Sequence, residues 1–342
     1  MLFHFEFRRY ALPFRTPVRT AHGPWATREG IIVKLSDADG RAGFGEAAPI
    51  AWFGTETVEE IEAICRELGT DVDNERLDAV PERCGCLRGA LRAAREMLLV
   101  RSGAGEMKKS ATAYLPVAAL LPAGRAVLES VEPKTEMGFR TFKWKVGVGD
   151  IGDELALLDD LIGKLPSGAK LRLDANGAWD RRKAERWLES CADRPVEFVE
   201  QPIDASARGA EDLLLGLAGD FPTAIALDES VTGASDVEKW IGAGWPGVFV
   251  IKPSLLGDAA GALGKLKAAK ARVVFSSSLE TGIGAHAALR MAFNFGGEAR
   301  ALGFGVWPLF EDSRFDGPRL APFIRAEDVE AIKPEAVWNA LS

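Results

Sequence analysis

The spacing of apolar positions changes along the chain. FHFEFRRYAL (3–12) alternates apolar with polar residues, as a half-buried strand does, and GIIVKLSDADGRAGFGEAAP (30–49) predicts a hairpin turning at Asp39-Gly40. From about Thr57 to Leu68, and again from Leu87 to Val100, apolar residues recur at helical spacing. Strands followed by helices predict a small α+β domain over residues 1–110, ended by the polar, Gly- and Ser-containing RSGAGEMKKS (101–110).

After Ala111 short apolar runs alternate with longer helical segments. The runs are YLPVAAL, TFKWKVGV, KLRLDANG, VEFVEQP, TAIALDES, GVFVIKPS, RVVFSSS and ALGFGVW. Taking Ala118, Lys145, Asp174, Glu200, Asp228, Lys252, Ser277 and Gly305 as their C-terminal markers, successive runs are 24 to 29 residues apart. That interval holds one strand and one helix, and eight such units predict a closed parallel (β/α) barrel over 111–306. The tail, 307–342, has apolar residues but no barrel strand, and is expected to pack back on the first domain.

In such barrels chemistry sits at the C-terminal ends of the strands. There the sequence places Lys143 and Lys145, then Asp174, Glu200 and Asp228, then Lys252. Either aspartate alone could cap the following helix. Glu200 is followed by Gln201-Pro202, where no helix can start at once. Three acids on successive strands would repel one another at the barrel mouth unless they surround a hard divalent cation, and three carboxylates with open positions suit Mg²⁺. Lys143 and Lys145 are two apart, so both face inward while Trp144 faces out; adjacent ammoniums are expected to lower each other's pKa. Lys252 comes from the strand across the barrel. A carboxylate substrate held on the metal would thus lie between two lysines, its α-proton acidified by charge stabilisation.

Composition narrows the partners. With 42 basic and 50 acidic residues among 342, the net charge is −8, which argues against phosphate-driven nucleic-acid binding. No apolar run approaches a membrane span, and MLFHFEFRRYALPF lacks the uninterrupted core of a secretory signal. Cys65, Cys84, Cys86 and Cys191 are too few for a disulfide scaffold, and His4, His22 and His286 show no metal-binding spacing. A cytoplasmic enzyme acting on a small-molecule carboxylate is expected, with no nucleic-acid or membrane partner and oligomeric state open. Two other motifs compete. Gly147, Gly149 and Gly152 fit G-x-G-x-x-G with Asp174 downstream, as in a dinucleotide site, and Lys252 could form a Schiff base. Neither explains the three converging carboxylates.

KWK (143–145), LDAN (173–176), VEQP (199–202), LDES (227–230) and IKPS (251–254) together resemble the enolase superfamily, in particular its muconate-lactonizing-enzyme subgroup. The resemblance implies an enolase-like modified TIM barrel with an N-terminal α+β capping domain completed by the C-terminal tail. It implies Asp174, Glu200 and Asp228 as Mg²⁺ ligands, with Mn²⁺ a possible substitute, and Glu229 and Asn176 beside them. It makes Lys145 the acid/base, Lys143 its supporting cation and Lys252 the lysine on the opposite face. TAHGPWATREGIIVKL (20–35), WFGTET (52–57) and FSSSLETGIG (275–284) are most similar to the o-succinylbenzoate synthase family of menaquinone or phylloquinone synthesis. That likeness implies dehydration of 2-succinyl-6-hydroxy-2,4-cyclohexadiene-1-carboxylate through an enediolate. Trp25 and Phe53 are then expected over the succinyl tail, with Arg172 and Ser276, Ser277 and Ser278 as further substrate contacts; any one serine could instead cap the next helix. Two facing lysines also fit N-succinylamino-acid racemase or dipeptide epimerase chemistry, although GFGVWPLF (303–310) lacks the acids expected of a dipeptide site. Muconate cycloisomerisation and a silent, merely binding barrel complete the alternatives; the latter predicts loss of a ligand or lysine, and none is lost.

Overall fold

Thr57 starts the first helix with a capping box: its side chain accepts the Glu60 amide proton, and the Glu60 carboxylate takes the Thr57 N–H. The computed structural model describes residues 2–20, 23–101, 113–296 and 300–341. In the N-terminal part β1 (Leu2–Thr20), β2 (Gly23–Ser36), β3 (Ala42–Ala47), α1 (Val58–Leu68), β4 (Asp71–Asp73), α2 (Asn74–Asp78) and α3 (Gly85–Arg101) follow in order. The strands form one antiparallel sheet ordered β3-β2-β1-β4. The turn at Asp39-Gly40 closes as its sequence predicts, with the Gly40 amide donating to the Asp37 carbonyl at 3.0 Å and Gly40 at φ +77°. Helix α3 lies on this sheet so closely that a Cβ on Gly43 or Gly45 would stand 1.9 Å from the Ala94 or Ala90 carbonyl oxygen. Only glycine permits that approach, and Phe3, Phe5, Ile31, Val33, Ile61, Leu87 and Leu91 fill the core around it.

The second unit begins with β5 (Tyr114–Pro116) and β6 (Ala119–Leu121), then α4 (Val127–Glu136), β7 (Thr141–Lys145), α5 (Ile151–Lys164), β8 (Lys170–Asp174) and α6 (Arg181–Cys191). It continues through β9 (Val196–Glu200), α7 (Ala210–Asp220), β10 (Ile225–Leu227), α8 (Ala234–Gly242), β11 (Val248–Ile251), α9 (Ala259–Ala268), β12 (Arg272–Phe275) and α10 (Gly282–Phe295). Strands β6 to β12 form a parallel sheet in sequence order, its outward faces packed under the helices. Trp144, for example, is buried against Trp187 of α6 at 6.2 Å between ring centres.

Two expectations need correction. YLPVAAL is not one strand: β5 leaves the barrel to pair antiparallel with β13 (Phe323–Arg325), and only β6 joins the sheet. ALGFGVW forms no ladder either. It closes the barrel through isolated bridges, Val117 to Leu302 on one side and Ser276 to Gly303 on the other. A Cβ on Gly305 would lie 2.2 Å from the Ala118 carbonyl oxygen, and one on Gly303 2.5 Å from the Ser276 hydroxyl, so the glycines that admit this segment replace the side chains a full strand would carry.

The expected boundary at 101–110 falls largely on residues outside those described. The tail, with α11 (Ala326–Glu330) and α12 (Pro334–Asn339), divides its contacts. β13 pairs with β5, whereas Trp307, Phe310, Phe315, Val337 and Trp338 pack with Tyr10, Phe14 and Phe44 of the cap sheet. Arg8 donates to the Trp338 carbonyl at 2.7 Å and lies 4.3 Å over its ring. Among the described residues no helix is long and apolar enough to cross a membrane.

The two units are also pinned by buried polar groups. The Glu46 carboxylate, on β3, accepts from the Tyr10 hydroxyl at 2.6 Å and from the amides of Thr281 and Gly284 at 2.9 Å, and also binds the Thr281 hydroxyl. It therefore sits on the N-terminus of α10, where a negative charge is favoured. Arg28, fully buried on β2, donates to the carbonyls of Ala48, Pro49, Ser278 and Leu279.

His286, buried on α10 with Nδ1 unpartnered, carries a pH-dependent share of stability. Burial, aided by Arg290 and Arg101, lowers its pKa from 6.5 to about 4. As pH falls through 6.5 the unfolded chain takes a proton that the native state refuses until about pH 4. Stability is thus lost across that window, by about 3 kcal/mol in all. Urea unfolding at pH 7 and pH 5 is expected to show a smaller loss in His286→Gln than in the parent chain; equal losses would remove His286 as the cause.

Candidate active site

Register alone brings the charged strand ends together. Lys145 on β7 is the lateral partner of Asp174 on β8, and Asp174 is the partner of Glu200 on β9. Asp228 follows β10 and Lys252 follows β11, so the three acids occupy consecutive strands between the two lysine-bearing ones. All but Glu200 line a cavity of about 820 Å³ at the barrel mouth, and Glu200 lies just beneath it, paired to Lys143.

Lys143 Nζ lies 2.9 Å from Asp174 Oδ2 and 2.6 Å from Glu200 Oε1, while Lys252 Nζ pairs with Asp228 Oδ1 and sits 4.9 Å over the Phe53 ring. Burial opposes the Lys143 charge, but Asp174, Glu200 and Asp228 outweigh it and hold its pKa above the ordinary lysine value. This corrects the expectation of mutual lowering. Of the two, Lys145 moves down, through burial and the neighbouring Lys143 charge, against the pull of Asp174. Its ammonium donates to the Arg19 carbonyl at 3.0 Å, so the cap sheet holds it in place. Burial, together with Asp174 and Asp228, pushes Glu200 up to about 8, and burial with the same two aspartates pushes Glu229 to about 7.

Among the described residues no three acidic, histidine or cysteine side chains are gathered closely enough to hold an ion, since Lys143 and Lys252 stand among the carboxylates as counter-ions. Two buried acceptors beside them, Glu229 Oε2 and Asn176 Oδ1, have no hydrogen-bond partner. Asn176, at φ +44°, meanwhile donates from Nδ2 to Glu229 Oε1 at 3.0 Å. All-oxygen donors, mutually repelling carboxylates and orphaned acceptors fit a hard divalent cation.

Other predicted site residues fall in different places. Trp25 and Phe53 line the cavity, Trp25 edge-on to Trp52 at 4.7 Å and 5.0 Å from the Arg28 guanidinium. Arg172 does not reach it. Its guanidinium lies deeper in the barrel, 2.7 Å from both Glu197 Oε2 and the Ala301 carbonyl, because two residues along a strand move a side chain one layer down. Ser276, Ser277 and Ser278 line the cavity, but none caps α10, a task done by Thr281. The Ser277 and Ser278 hydroxyls donate to buried Glu280 at 2.9 and 2.8 Å, leaving Ser276, with a 3.4 Å contact to the Gly303 carbonyl, the freest of the three. The glycine-rich loop is also occupied from within. Glu154 accepts from the amides of Gly147, Val148 and Gly149 at 2.9 to 3.1 Å, filling the nest a phosphate would need.

Sequence reasoning missed Gln201, Glu280, Arg28 and Arg19. Gln201 and Arg28 are polar residues with partners in other loops, and Glu280 is bonded by serines two and three residues before it. Arg19 lines the cavity from the cap side and makes no ion pair among the described residues.

Comparison with known proteins agrees with this fold. The family described as enolase C-terminal domain-like matches residues 126–321, and that described as MenC, N-terminal domain, matches residues 4–82. An o-succinylbenzoate synthase of Thermosynechococcus vestitus is 39% identical over 306 residues, covering 88% of this chain and 92% of its own. One from Yersinia enterocolitica is 32% identical, over 83% and 84% of the two chains. The crystal structure of o-succinylbenzoate synthase from Thermosynechococcus elongatus BP-1, complexed with Mg in the active site, superposes with a TM-score of 0.79 and 35% identity over 98% and 99% of the chains. An N-succinyl Arg/Lys racemase from Bacillus cereus, at 17% identity, shares the fold with a TM-score of 0.82 over 99% and 97%.

Proposed function

The chain belongs to the enolase superfamily and, within it, to the o-succinylbenzoate synthases, and we propose from that premise which of its residues carry the reaction and which ion they hold. The reaction removes water from 2-succinyl-6-hydroxy-2,4-cyclohexadiene-1-carboxylate to give 2-succinylbenzoate. Lys145 takes the proton from the carbon bearing the carboxylate. The C–O bond to the ring hydroxyl then breaks, and Lys145 returns the same proton to the departing oxygen, so water leaves and the lysine ends as it began. Its lowered pKa favours the free amine needed for the first transfer. Lys252, fixed between Asp228 and Phe53, keeps its charge towards the enediolate and stabilises it without exchanging a proton. Asp174, Glu200 and Asp228 are the residues that would hold Mg²⁺, with Mn²⁺ as substitute. When bound, the ion stabilises negative charge developing on the substrate carboxylate. Trp25, Trp52 and Phe53 enclose the succinyl tail and exclude water, and Arg19 supplies a positive charge for its carboxylate.

The observation that carries this reading is the placing of Lys145 and Lys252 on opposed strands of one cavity, with three carboxylate-bearing strand ends between them. The test is direct ultraviolet monitoring of the cyclohexadiene substrate, with purified protein stripped of metal and then supplied with Mg²⁺. Conversion should depend on the ion. No conversion, combined with α-proton exchange of N-succinylamino acids in D₂O, would replace the dehydration with racemisation on the same two lysines.

A further inference from the structure

Gln201 follows Glu200 directly, is wholly buried, and holds its backbone at φ +37°, a region a non-glycine residue rarely occupies without compensation. The compensation is a complete set of side-chain hydrogen bonds, to the loop after β10 and to a carbonyl two residues further along its own loop. Oε1 accepts from the amides of Asp228 at 3.0 Å and Ser230 at 3.2 Å, and Nε2 donates to the Ile203 carbonyl and the Ser230 hydroxyl, both at 2.8 Å. Its backbone completes the network: the Gln201 amide donates to the Ala226 carbonyl at 2.8 Å, and its carbonyl accepts from Gly177 at 2.7 Å, in the loop that follows Asp174. One residue thus links the ends of β8, β9 and β10, which carry Asp174, Glu200 and Asp228.

We propose that Gln201 is a positioning residue that sets the spacing of these three carboxylates and through it the affinity for the divalent ion. The inference rests on the ligand assignment above. A carboxamide is required because the site presents two backbone donors to one atom and the Ile203 carbonyl, which can only accept, to the other. Glutamate has the same shape but, when ionised, turns an oxygen towards the Ile203 carbonyl, a repulsion that remains when the Ser230 hydroxyl rotates to donate, so the loop must shift. Groups that orient metal ligands in this way typically contribute about 10- to 100-fold in affinity.

The test measures binding of Mg²⁺ by calorimetry and of Mn²⁺ by electron paramagnetic resonance in the full chain. Gln201→Glu is expected to bind either ion about 10- to 100-fold more weakly. Much of its kcat should return at saturating ion, whereas a merely structural role would lower the unfolding temperature and leave the ion affinity alone. A folded Gln201→Glu protein with parental affinity would overturn the proposal. Should that variant not fold, Ser230→Ala, which removes one acceptor of Nε2, is expected to weaken binding in the same direction, and unchanged affinity there would overturn it equally. Failure of the parent chain to bind either ion would instead reject the ligand assignment, and the proposal with it.

Discussion

Lys145→Ala is expected to lower kcat by about 10³-fold or more while leaving Mg²⁺ affinity and the unfolding temperature close to those of the parent chain. Lys143 is committed to Asp174 and Glu200 and Lys252 to Asp228, so each of these ammoniums neutralises a carboxylate and neither is free to move a proton. Among the described residues the hydrogen-bond partner of Lys145 is a carbonyl, that of Arg19, and burial lowers its pKa. It is therefore the lysine that can shed a proton and take one up. In the parent enzyme kcat/KM should rise with pH as Lys145 loses its proton, and that limb should vanish in the alanine variant. Steady-state rates from pH 6 to 10, alongside metal titration, check both points. A variant retaining a tenth of parental kcat would transfer the base role elsewhere.

Glu46→Ala is expected to destabilise the fold by about 3–5 kcal/mol. The carboxylate satisfies the Tyr10 hydroxyl, the Thr281 amide and hydroxyl and the Gly284 amide, all buried. Alanine leaves these donors without an acceptor and removes the negative charge from the first turn of α10. Because Thr281 follows the serine segment lining the cavity, the loss should reach the active site as well. Urea unfolding with activity measured in parallel tests this. Glu46→Gln, which keeps one acceptor oxygen, should fall between the two, and a loss below about 1 kcal/mol would show that water replaces the carboxylate at little cost.

Much of this molecule is legible in its sequence because burying a charge is expensive. Lysines and acids that end apolar strands need partners, and their strand-by-strand order fixes where those partners stand, which is why Lys143, Asp174, Glu200, Asp228 and Lys252 meet as their positions predict. Arg172 obeys the same rule and still deceives, since its partner is Glu197 one layer down, and depth within a barrel leaves no trace in spacing. Ser277 and Ser278 line the cavity, but their bonds to Glu280 are not legible either: a hydroxyl's partner can lie two or three residues away, and no periodicity marks it. The broken first strand and the bridged eighth segment are decided by competition among distant pieces, β13 for β5 and glycine contacts for the closing edge, which apolar runs alone do not encode.

That closing edge has a kinetic meaning. A ring of ladders joined at one place by two bridges is mechanically a clasped band, and the clasp joins segments far apart in the chain, around Val117 and Leu302. Loop-closure entropy makes such long-range pairing among the last events of folding, and the few amides that form it among the first to open. Deuterium uptake should therefore run ahead at Ala118, Leu302 and Gly303 while β7 and β8 stay protected, so the barrel would breathe at a hinge line beside Ser276, on the wall of the cavity.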